Sequence, residues 1–119
     1  MFIDYRIDLY RRKLEEALRK WEQVVIFEDP ASGKFVQFAV ESESREVIID
    51  IPLEQMTETI YEWLSPHMEQ AVDSNGNLMA LQKIIKAEHT KYAAEFTDWI
   101  FTKIYKLPEN HEVTVQMFT

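Results

Sequence analysis

The sequence predicts one α+β domain: a three-stranded antiparallel meander and a C-terminal strand packed with three helices, in the order α-β-β-β-α-α-β. Three observations predict it. An apolar stripe at three- to four-residue spacing opens the chain, three short β-branched runs separated by turn formers follow, and helical spacing returns in the second half. Strands grouped together and helices grouped together place the helices on one face of an antiparallel sheet. The 119 residues fit a single domain over 1–119, enough to bury a core without disulfides or a metal.

The first helix is predicted over about residues 4–21. Ile3, Ile7, Tyr10, Leu14, Ala17, Leu18 and Trp21 make its apolar stripe. Arg11, Arg12, Glu15, Glu16, Arg19 and Lys20 make its polar face, with Glu15–Arg19 and Glu16–Lys20 in the favourable i,i+4 order. Asp4 and Asp8 lie near its start, where the helix dipole favours acids.

Three strands follow. Val24-Val25-Ile26-Phe27 leads into the turn formers Asp29-Pro30-Ala31-Ser32-Gly33. Phe35–Val40 is the second strand, Ser42-Glu43-Ser44 a tight connection, and Val47–Ile51 the third. Period-two alternation puts Val36, Phe38 and Val40 on one face and Val47, Ile49 and Ile51 on one face of the next strand.

Pro52 can open a second helix, in which Leu53, Met56, Ile60, Trp63 and Leu64 repeat at helical spacing until Pro66 stops it. Residues 73–77 read as a loop, after which Asn77 can cap a third helix over 78–105. Its stripe is Leu78, Leu81, Ile85, Tyr92, Phe96, Trp99 and Lys103. Such a helix is roughly 42 Å long, more than the diameter of the domain, so it either breaks near 86–91 or projects toward a partner. Val113, Val115 and Met117 alternate in a last strand expected to join the sheet.

Composition narrows the function. A net charge of −8 counts against nucleic acid and against an anionic membrane. The absence of Cys removes thiolate metal sites and a Cys nucleophile, and two glycines leave no phosphate cradle. Charges begin at the fourth residue and no apolar run reaches signal-peptide or membrane-spanning length, so the expected location is the cytoplasm.

Catalytic patterns are absent. No GxSxG, HExxH, P-loop or dinucleotide fingerprint occurs. His67, His89 and His111 are isolated from one another. His89 and Glu95 are six residues apart, about 600° of helix turn, and point to different sides. Glu54, Glu58 and Glu62 line one helical face, either as a solvated surface or as a surface for a basic partner or divalent cation. The 73–77 loop lacks the closing glutamate of a calcium loop. No catalytic residue, cofactor or metal is therefore expected.

Aromatics are the richest feature. Most belong to a core, but Phe101, Tyr105 and Phe118 exceed what a small core needs, and surplus apolar surface suits a homodimer or a peptide groove. The expected partner-binding residues are Val36, Phe38, Trp99, Phe101 and Tyr105.

A first helix closing on Trp21, a hairpin strand reading Lys34-Phe35-Val36-Gln37-Phe38-Ala39, and an acidic-apolar third strand entering a helix together resemble the TY-Chap/YbjN-type proteins over residues 4–65. Those proteins are similar in fold to type III secretion chaperones. The resemblance implies a sheet flanked by helices, frequent dimerisation and the binding of another protein's segment. The expected function is a non-catalytic, chaperone-like or adaptor module that binds a protein segment or a second copy of itself. The alternatives are an acidic immunity or antitoxin-type protein and a small metal-dependent enzyme using His89.

Overall fold

The computed structural model describes the backbone of residues 2–119 and the side chains from Tyr5 onward, so the Ile3 and Asp4 side chains lie outside the described residues. Helix α1 spans Phe2–Lys20. Strands β1 (Val24–Glu28), β2 (Phe35–Glu41) and β3 (Glu46–Pro52) follow as the meander. Then come α2 (Glu58–Leu64), β4 (Glu69–Val72), β5 (Leu78–Lys86), α3 (Thr90–Trp99) and β6 (Thr114–Phe118). The described sheet is six-stranded in the order β4-β5-β3-β2-β1-β6, and every neighbouring pair is antiparallel.

The α+β class and the three helices agree with the sequence reading, but the continuous helix over 78–105 does not exist. Its first third is β5, which pairs with β3 from Glu46↔Lys86 to Pro52↔Ala80. Leu81 and Ile85 are four apart, a spacing that strand and helix both allow. The residue between them on the same face is Lys83, which breaks the apolar alternation. Its ammonium lies 5.9 Å from the Tyr92 ring centre and 5.6 Å from that of Phe96. Tertiary pairing prevails over helix propensity here because the long β3 edge needs a partner for its backbone.

Asn77 consequently turns a hairpin instead of capping a helix. The Asp73 carboxylate accepts the Asn75 and Asn77 backbone N–H groups at 2.8 and 2.9 Å. Gly76 takes φ 81°, which only glycine adopts freely. The helix expected from Pro52 onward is also interrupted. Leu53–Gln55 forms one 3₁₀ turn, and α2 starts afresh at Thr57, whose Oγ1 accepts the Ile60 N–H at 3.2 Å. Glu54 thus falls off the face that carries Glu58 and Glu62.

The core lies between the helices and one face of the sheet. Val25, Phe27, Val36, Phe38, Val40, Val47, Ile49, Ile51, Leu81 and Ile85 alternate inward and are buried. They meet Tyr10, Leu14 and Ala17 of α1 and Ala93, Ala94 and Phe96 of α3. Glu16–Lys20 pairs at 3.7 Å as the spacing predicts. Glu15 instead takes Arg11 at 3.3 Å and accepts the Thr90 hydroxyl at 2.9 Å, which ties α1 to the start of α3.

Candidate interaction surface

Four of the five expected partner-binding residues are core residues. Val36 and Phe101 have no exposed surface, Phe38 is 1% exposed and Tyr105 is 9% exposed. The Tyr105 hydroxyl donates to the Phe35 carbonyl at 2.8 Å, and burial pushes its pKa up. Period two told which strand residues share a face, but not which face the helices cover. Trp99 is the exception: it is half-buried and edges against His67 at 5.0 Å. His89 is exposed at the end of a 3₁₀ turn. Among the described residues no group of three or more His, Asp or Glu is placed to hold a metal ion.

The uncovered sheet face holds the surface that the sequence reading missed. Strand register sets Phe118 beside Val24, Val24 beside Ala39, Ala39 beside Ile48, and Ile48 beside Ile84. These five residues alternate with the core positions, so they form one apolar row across five strands on the side away from the helices. Phe118 is 45% exposed and Ile84 60%. Next to it runs a polar row, in which the Asp50 carboxylate accepts the Gln37 and Gln82 amides at 2.6 and 2.7 Å. These bonds tie β2, β3 and β5 together from the open side.

Trp21 lies beside Val24 and Ala39 of the apolar row. It follows the last residue of α1 with φ 57°, and the Glu22 N–H closes the helix on the Ala17 carbonyl at 3.0 Å. This left-handed position favours glycine, and a bulky residue there is strained. The indole is 63% exposed, so no core contact offsets the strain. Gln23 fixes the segment on the other side: its N–H donates to the Phe118 carbonyl at 3.1 Å and its carbonyl accepts the Val40 N–H at 2.8 Å. Trp21, Val24 and Ala39 share a cleft of about 870 Å³ with Glu22, Glu41 and Glu43. Glu41 lies directly opposite Glu46, which in turn has Lys86 opposite it on the other side.

The sequence carried a signal for this face. Val24, Ile26, Ala39, Ile48 and Ile84 are apolar at the positions alternating with the core, where a solvated face carries polar residues.

Comparison with known protein families, with curated proteins and with solved structures finds no match. No described helix is long and apolar enough to cross a membrane.

Proposed function

We propose that the chain is a non-catalytic protein-binding module, chaperone-like or adaptor in kind, that works in the cytoplasm and binds a protein segment or a second copy of itself on the open face of its sheet. The observation that carries this reading is the apolar row Phe118–Val24–Ala39–Ile48–Ile84, with an exposed tryptophan in a left-handed backbone position beside Val24 and Ala39. Strained positions cluster where function over-determines them. Six strands about 4.8 Å apart, four to nine residues long, offer a face on the order of 500 Å², the share of one partner in a small, transient interface. The acidic corner of Glu22, Glu41 and Glu43 favours a segment that combines apolar and basic side chains.

The resemblance to TY-Chap/YbjN-type proteins supports the same reading. The secretion-chaperone layout has strands ahead of the last helix, and β4 and β5 stand there in this chain. The acidic corner also favours a second reading, an immunity-type protein that neutralises a basic partner.

The test is capture of partners by the full chain and by Ile48→Glu and Ile84→Glu, with light scattering for self-association. Retention of a partner or a dimer by the parent chain and its loss in both variants supports the reading. A parent chain that stays monomeric and retains nothing, or variants that retain the same partner, overturns it.

A further inference from the structure

The helical side of the molecule holds a second surface, opposite in charge to the first. We infer that the groove between α2 and the end of α3 is a docking site for an acidic, apolar segment of a partner protein. The groove is shallow, about 590 Å³, and Trp63, Trp99 and Ile104 supply its apolar surface. Trp63 is 39% exposed although Pro66 and its 3₁₀ turn follow it closely. Lys103 and Lys106 form the rim, and Glu62 is the opposing carboxylate among the lining residues.

Neither lysine has a carboxylate within 4.0 Å among the described residues. The groove therefore carries one positive charge in excess on a chain of net charge −8. At physiological ionic strength charges beyond about 8 Å are largely screened, so the local pair of lysines outweighs the distant acids for anything seated between them.

The backbone that presents the lysines is irregular in two places. After Trp99 the helix widens into a π turn over Ile100–Ile104, where the Tyr105 N–H reaches the Ile100 carbonyl at 2.8 Å. Such turns recur at functional sites. Lys106 then takes φ 55°, a conformation that suits glycine. That geometry sets its ammonium 4.6 Å from the centre of the Trp63 ring. A helix end needing only a favourable charge for its dipole would accept a lysine one turn earlier at no strain. The occupant fitting the groove places an aliphatic or aromatic side chain between the two indoles and carboxylates on Lys103 and Lys106.

Two synthetic peptides of twelve residues test this, one alternating Glu with Leu and one alternating Lys with Leu, titrated calorimetrically into the full chain. The Glu peptide is expected to bind saturably, to weaken about tenfold or more in the Lys103→Glu/Lys106→Glu variant, and to weaken as salt rises. Lys106→Gly relieves the left-handed strain, so it should keep its thermal stability while losing affinity. Trp21→Gly should leave Glu-peptide binding unchanged, which separates this groove from the open sheet face, where the Lys peptide is expected. Absence of Glu-peptide binding, or binding unaffected by the double lysine variant, overturns the inference and leaves the open-face reading standing.

Discussion

The Arg6 guanidinium Nε lies 3.7 Å from the Asp98 carboxylate, with both side chains less than a tenth exposed. Arg6 also donates to the Glu109 carbonyl at 2.7 Å. The pair joins α1, α3 and the segment leading to β6. Burial raises the Asp98 pKa, and the Arg6 charge opposes that rise. A raised carboxylate pKa means that the native state holds its proton to higher pH than the unfolded chain does. Stability therefore falls as pH rises from the ordinary value of about 4 through the raised one. Asp98→Asn should flatten this slope in urea titrations between pH 4 and 7. Arg6→Ala should steepen it and cost about 3 kcal/mol at neutral pH, because it leaves a buried charge unpaired.

The Asp73 carboxylate is displaced the other way. Backbone N–H groups of Asn77 and Asn75 hold its pKa below the ordinary range. The charged form caps the β4–β5 hairpin, so this contribution is complete above about pH 4 and is lost as pH falls through the lowered pKa. The protection of the Asn75 and Asn77 amides, measured against intrinsic exchange at the same pH, should fall on acidification. An Asp73→Ala chain should show the lower protection at every pH.

Trp21 separates stability from binding. Trp21→Gly relieves a left-handed φ worth about 1 kcal/mol in the folded state and removes an exposed indole. The offsetting loss is the greater freedom of glycine in the unfolded chain. Thermal denaturation is expected to show a midpoint equal to or above that of the parent. Partner capture on the open face should fall sharply. A large loss of stability instead would place Trp21 among the structural residues.

Phe101 is the reverse case. It is fully buried, tilted against Tyr10 at 6.0 Å and near His111 at 5.5 Å. Phe101→Ala should cost about 3–5 kcal/mol in denaturant, a large part of the stability of a domain this size. Trp99→Ala, at a half-buried site, should cost clearly less.

The first half of the fold was legible in the sequence because local signals agreed there. The stripe through Tyr10, Leu14 and Ala17, the turn at Asp29–Gly33 and the alternation through Val36, Phe38 and Val40 each point to the element that forms. The second half misled because Leu81 and Ile85 fit a helix by spacing, while their β3 partners Ile51 and Val47 lie far back in the sequence. The open face was legible only as a second set of apolar strand positions, for a related reason. Phe38 and Ala39 are both apolar neighbours in sequence, and the position of α1 and α3 makes one core and the other surface.

The pairing of β6 with β1 has a kinetic side. Val24 meets Phe118 across roughly ninety residues of intervening chain, and closing so long a loop is slow relative to forming the meander hairpins. The residues that fill the core from β1, β2 and β3 come together through short connections. The apolar row is complete only when β6 has docked. The open face of the sheet is thus completed after the meander that carries most of it.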